Sequence, residues 1–285
     1  MSGGVEVVSH PRGPMVSVQG EVGQAERDAL LSGQFVGLAV GGYPLLSGGA
    51  LFDLEYLEHC GEGLRVAHIQ RYECDVAGLR FCPYLEDVLI NTGERSSPDF
   101  RLFAHLKELR LDWRPRAKSL YESRSITSLR LSKWPSKDLR PLAGMKQLET
   151  LHLTGGGLRS LDGVEDLPML RSLEVFASRK FSDLSPLSGA PWLRRLWLES
   201  CKRVDDIEPV RGLAKLRVLG VMGCGDIDSL SPIRQLTLLE RLALSDTRVK
   251  DSVVKFVEFL PSMKAIIMQH YNEYDGIPNR GGRGA

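Results

Sequence analysis

Cysteine is scarce in this chain of 285 residues, and so is net charge. The five cysteines, Cys60, Cys74, Cys82, Cys201 and Cys224, are odd in number and form no CxxC pair, so they indicate neither a disulfide framework nor a zinc site. Lysine and arginine number 37 against 36 aspartates and glutamates, a formal charge of +1. That balance argues against a chain whose binding is dominated by nucleic acid or an anionic membrane. Long apolar runs are missing too. No stretch approaches the roughly eighteen residues of a membrane span, and the opening MSGGVEVVSHPRGPMVSVQG lacks the apolar core of about seven residues that a secretory signal needs. A cytoplasmic location with reduced thiols is the expectation.

Chemistry-bearing motifs are missing as well. There is no P-loop, no GxSxG elbow, no HExxH and no strand-linked GxGxxG. The triplet Gly155-Gly156-Gly157 follows an apolar segment, where tight turn geometry is its simplest use. His10, His59, His68, His105, His152 and His270 are scattered, and no pair has metal-ligand spacing. Asp205, Asp206 and Glu208 read as a solvated loop rather than a cation site. The expectation is a protein that is not an enzyme and takes no cofactor and no metal.

What is present is repetition. The frame apolar-x-x-apolar-x-apolar begins at Leu106 (LKELRL), Ile126 (ITSLRL), Leu148 (LETLHL), Leu170 (LRSLEV), Leu193 (LRRLWL), Leu216 (LRVLGV) and Leu239 (LERLAL). The spacings are 20, 22, 22, 23, 23 and 23 residues. Weaker copies stand at Phe35 (FVGLAV), Leu64 (LRVAHI), Leu85 (LEDVLI) and Met263 (MKAIIM). Between frames an Asp-apolar-x-Pro-apolar step recurs at Asp138–Leu142, Asp183–Leu187 and Asp206–Val210, with variants at Ser229–Ile233 and Ser160–Val164.

Repeats of roughly 20–29 residues with this frame and a linked proline step resemble the leucine-rich repeat superfamily. The likeness is to its short-repeat class, found in internalin-like bacterial proteins and in regulatory subunits of protein phosphatase. The resemblance implies an α/β solenoid: a leucine-rich repeat horseshoe with a parallel concave β-sheet and mostly 3-10 or irregular convex segments. In that family an asparagine stands three residues after the last apolar strand position. Here the position holds Trp134, Gly156, Ser178, Cys201, Cys224 and Thr247, so the turns need other partners. Cys201 and Cys224 are expected to be small, buried, reduced ladder residues. Trp134 and Trp113, near strand ends, are expected to be partly buried.

Three regions follow from this pattern. Residues 1–34 lack the frame but alternate on either side of SHPRGP, as a hairpin does, and continue into QAERDALLSG; they read as an N-terminal cap of hairpin plus short helix. Residues 35–271 form the solenoid, in which Val253, Phe256, Val257 and Leu260 predict a last convex helix. Residues 272–285, NEYDGIPNRGGRGA, read as a disordered tail.

Within each strand the residues between frame positions point away from the coil. One column reads His68, Leu89, Arg110, Arg130, His152, Glu174, Trp197, Gly220 and Ala243, the last two leaving the face flat; its neighbour includes Phe176 and Glu199. Arginine and aromatic residues dominate interface energies, so the predicted partner-binding residues are Arg110, Arg130, His152, Glu174, Phe176, Arg195, Trp197 and Glu199. The expected function is a non-catalytic protein-binding module using its concave face, with a bacterial inhibitor or immunity protein as the narrower role suggested by analogy. The alternative is an internalin-like surface or carbohydrate-binding adhesin, which needs an export signal and an anchor. The expected partner is a protein, with no membrane role and a chain that is monomeric when unbound. Nucleic acid is disfavoured because Glu174 and Glu199 interrupt the track of Arg110, Arg130 and Arg195.

Overall fold

The computed structural model describes residues 5–19, 22–41, 52–71, 73–93, 96–251 and 255–268. The tail from 272, His270 and Val253 lie outside them. The chain divides into two compact units, Met1–Leu131 and Ser132–Ala285. Among the described residues no helix is long and apolar enough to cross a membrane.

The first unit opens with an antiparallel hairpin, β1 (Glu6–His10) and β2 (Gly13–Val18), paired from Glu6↔Ser17 to His10↔Gly13. Helix α1 (Gln24–Leu31) follows. Strands β3 (Gly37–Val40), β4 (Val66–Ile69), β5 (Asp87–Ile90) and β6 (Glu108–Asp112) then add in parallel, β3 onto β2 and each of the others onto its predecessor. Strand β7 (Ser128–Trp134) runs through the boundary. The second unit carries β8 (Thr150–Gly156), β9 (Ser172–Phe176), β10 (Arg195–Glu199), β11 (Val218–Met222), β12 (Arg241–Ala243) and β13 (Ala265–Ile267), again parallel and in sequence order. Parallel neighbours need a crossover. A coil of about 22 residues leaves room only for tight ones, and the segments that return the chain are 3-10 turns such as Ser185–Gly189, Glu208–Gly212 and Ser231–Gln235. The segment read as a convex helix is also 3-10, at Lys255–Phe259.

The proline step has a physical cause. The Asp183 and Asp206 carboxylates accept the backbone N–H two residues on, at 2.9 and 2.7 Å, and Ser229 Oγ accepts that of Ser231 at 3.0 Å. Each side chain closes an Asx- or ST-type turn, and the proline that follows holds the φ that starts the 3-10 segment. Asp53, Asp75 and Asp99 make the same bond in the first unit without proline. Strands end in a second recurrent device. Lys133, Gly155, Ala177, Ser200, Gly223 and Asp246, each just before a ladder position, all have positive φ, between 50° and 65°. At Gly156, where φ is 92°, an added Cβ would lie 2.2 Å from the Trp134 carbonyl oxygen, so no other residue fits.

Ladder residues meet their bonds individually. Thr247 Oγ1 accepts from Cys224 N–H at 2.9 Å, and the Cys201 thiol points at the Val175 and Glu199 carbonyls. Cys201 and Cys224 are buried and free, as are the other three cysteines. Trp134 departs from its expected partial burial. It is fully buried, its indole N–H donating to the Asp138 carbonyl at 3.1 Å, because the broad ladder residue fills the coil interior. Trp113 is buried too, stacked on Tyr121 with ring centroids 5.3 Å apart.

Candidate functional site

Alternation along each strand sorts the side chains. On β10, Leu196 and Leu198 are buried in the coil while Arg195, Trp197 and Glu199 stand half-buried on the sheet face. The register brings Glu174 beside Trp197 and Phe176 beside Glu199 from β9, and His152 beside Glu174 from β8. Six predicted residues of the second unit thereby meet.

They form one continuous relay. His152 stacks on Phe176, centroids 4.4 Å apart and planes 18° from parallel. Its Nδ1 lies 3.1 Å from Glu174 Oε2 and its Nε2 lies 3.0 Å from Thr154 Oγ1. A carboxylate only accepts, so Nδ1 donates to Glu174 and, in the neutral ring, Nε2 accepts from the threonine hydroxyl. Arg195 Nε donates to Glu174 Oε1 at 2.6 Å, and its guanidinium sits 4.7 Å from the Trp197 ring centroid. Trp197 Nε1 donates to Glu199 Oε2 at 3.2 Å. Burial raises the Glu174 pKa, but the bonds from Arg195 and His152 outweigh it and hold the carboxyl below its ordinary value. The arrangement fixes an arginine and an indole in place.

Arg110 and Arg130 belong to the first unit. Arg130 is exposed on β7. Arg110 is occupied: its Nη2 lies 2.9 Å from His68 Nε2 and 3.1 Å from Asp87 Oδ1. His10, at the tip of the hairpin, adds Nε2 at 3.3 Å from Asp87 Oδ2, and Arg12 pairs with Glu86 and Glu108. Asp87 is buried, which raises its pKa, yet hydrogen bonds from His68 and Arg110 bring it down to about 2. Sequence reasoning missed Asp87, His10 and Arg12 because residues 77 positions apart meet here with no local pattern to announce it.

His10, His68 and Asp87 place their ligand atoms within 4.8 Å of one another, the spread of a metal site. Proton positions speak against that use. The Arg12 N–H donates to His10 Nδ1 at 3.2 Å, which leaves the ring's proton on Nε2, pointing at Asp87. The Arg110 guanidinium already supplies the cation that the other lone pairs face. The cluster links the hairpin tip to the sheet through ion pairs and hydrogen bonds centred on the Asp87 carboxylate.

No protein-family model matches this sequence, and no curated protein matches it. Among solved structures the chain is similar to an internalin (InlF) from Listeria monocytogenes, with a TM-score of 0.63 at 19% identity over 90% of this chain and 80% of that one. It is also similar to a chain of the TLR13–ssRNA13 complex, with a TM-score of 0.57 at 16% identity over 89% of this chain and 43% of that one. The fold is that of leucine-rich repeat proteins and is internalin-like. This chain spans less than half of the TLR13 chain it matches.

Proposed function

We propose that this chain is a non-catalytic protein-binding module whose docking surface is the sheet face of β8–β10. The observation that carries the reading is the relay itself: a half-buried tryptophan under an arginine, braced by two carboxylates and a stacked histidine–phenylalanine pair. Tryptophan and arginine are the residues that most often anchor protein interfaces, and side chains held before binding lose less entropy on docking. Binding without chemistry serves to occlude a target, and the role we assign is that of an inhibitor or immunity-type protein acting in a bacterial cytoplasm.

The test is affinity purification with the wild-type chain beside Trp197→Ala and Arg195→Ala, followed by mass spectrometry and a binding isotherm for each protein recovered. A protein held by the wild type and released by both variants supports the reading. One that all three hold equally sinks it.

A further inference from the structure

We infer that Gly220 sets the pose of Trp197, acting as a positioning residue for the docking surface; the inference rests on the reading of that surface given above. Trp197 on β10 and Gly220 on β11 are direct partners in the parallel register. A Cβ built on Gly220 would lie 2.4 Å from Trp197 Cε3, 2.5 Å from Cδ2 and 2.9 Å from Cζ3. Real Cβ atoms do not approach that closely, so the indole lies over the neighbouring strand only because glycine stands there. The flat region expected at this position is covered by the ring, and Gly220 is buried beneath it.

Backbone geometry supplies no other reason for a glycine. Gly220 does not have positive φ, unlike Gly155, Gly156 and Gly223, so alanine fits the same strand conformation. Strand interiors disfavour glycine, which packs nothing and has the most conformational freedom to lose. In the second unit the same column holds His152, Glu174, Trp197 and Ala243, all with side chains. Glycine thus sits where folding alone favours a larger residue. What it permits is the pose that lets Trp197 Nε1 reach Glu199 Oε2 and places the ring 4.7 Å from the Arg195 guanidinium. A methyl at position 220 drives the ring out of that pose and breaks both contacts while leaving the leucine core untouched.

The experiment compares Gly220→Ala with Gly212→Ala, a return-segment glycine whose added Cβ meets nothing within 4 Å. Indole N–H resonances of Trp113, Trp134, Trp192 and Trp197 are recorded on 15N-labelled protein, with Trp197→Phe to assign the last. The expected result is a shifted Trp197 resonance in Gly220→Ala, three unmoved ones, and a thermal midpoint within about 2 °C of wild type. Against the protein recovered by the wild-type chain, Gly220→Ala should bind at least tenfold more weakly, Gly212→Ala as wild type, and the Trp197→Ala, Gly220→Ala double variant no more weakly than Trp197→Ala. An unmoved Trp197 resonance, a general shift of all four with loss of stability, or wild-type binding by Gly220→Ala overturns the inference. If Trp197→Ala itself binds as wild type, the docking-face reading fails and takes the functional half with it, while the resonance still reports whether Gly220 sets the pose.

Discussion

Arg195 Nε lies 2.6 Å from Glu174 Oε1, so the guanidinium that stands against the Trp197 ring is tied to the neighbouring strand. Two donors, the Arg195 guanidinium and the His152 ring, share that one carboxylate. Glu174→Gln removes the charge and keeps the shape. The expected cost is about 1–2 kcal/mol of stability at neutral pH, since hydrogen bonds to charged groups are stronger than neutral ones. Because the folded-state pKa of Glu174 lies below its ordinary value, its contribution is present above the unfolded value and fades as pH falls through the folded one. Urea unfolding at a series of pH values checks this. A Gln variant as stable as wild type at neutral pH contradicts it.

The Asp87 network makes the same argument in the first unit with a larger shift. The carboxyl falls from 3.8 to about 2 because hydrogen bonds from His68 and Arg110 outweigh its burial. That difference corresponds to stability on the order of 2 kcal/mol, fully present above about pH 5 and lost as pH falls toward 2. The stability gap between wild type and Asp87→Asn should therefore narrow on acidification through that window. A gap that stays constant from pH 5 to 2 would show that the carboxylate is not held by these partners.

Much of the architecture is legible in the sequence because its determinants are local. The apolar frame places each strand from Val66 to Ile267, and the Asp183 and Asp206 steps are Asx turns that need only their next two residues. The outward column is equally local, so the order of residues alone names Glu174, Trp197 and Arg195 as neighbours. Whether neighbours touch depends on rotamers and on what stands opposite. Nothing in the pattern says that the Trp197 indole lies over Gly220, or that Arg110 is engaged by Asp87 and His68. Arg114 is hidden for the same reason. It is fully buried and donates to Thr92 Oγ1 and to the Gly93 and Ser96 carbonyls, binding a loop about twenty residues earlier that carries no apolar signature.

The cysteines yield a third prediction. All five are buried and free, and burial pushes the Cys74 and Cys82 thiols up to about 12. Burial shields all five thiols from reagent, so labelling of the native protein at pH 8 should be slow at every site and fast at all five after unfolding in guanidinium. Rapid labelling before unfolding, or a mass deficit of two hydrogens, contradicts the buried and reduced assignment.

Ala177 offers a fourth. It holds φ at 50° to turn the chain out of β9, a conformation that costs a residue with a Cβ roughly 1–2 kcal/mol, against about 0.5–1 for the extra freedom of glycine in the unfolded chain. Ala177→Gly should therefore stabilise by about 0.5–1 kcal/mol. Chemical denaturation reads the change, and a loss of stability would mean that the methyl packs more than the turn strains.

Two tryptophans in different surroundings give the fifth prediction. Trp134 is fully buried with its N–H bonded to the Asp138 carbonyl, whereas Trp197 is half-buried on the sheet face with its N–H bonded to Glu199. Replacing a buried tryptophan with alanine leaves a cavity, so Trp134→Ala should lose about 3–5 kcal/mol. Trp197→Ala exposes Gly220 and removes the ring beside Arg195, which stays bonded to Glu174, without opening the leucine core, and its stability should fall by less than half of that. On the proposed docking surface, its larger effect is expected in affinity. Truncating an interface anchor costs about 2 kcal/mol or more, a loss of roughly thirtyfold in affinity. Arg211→Ala, which breaks only an exposed pair with Glu208 on a return segment, should change neither property. Unfolding midpoints and partner affinities of the three variants form the test. Affinity that survives Trp197→Ala and disappears with Arg211→Ala would move the docking surface to the return segments.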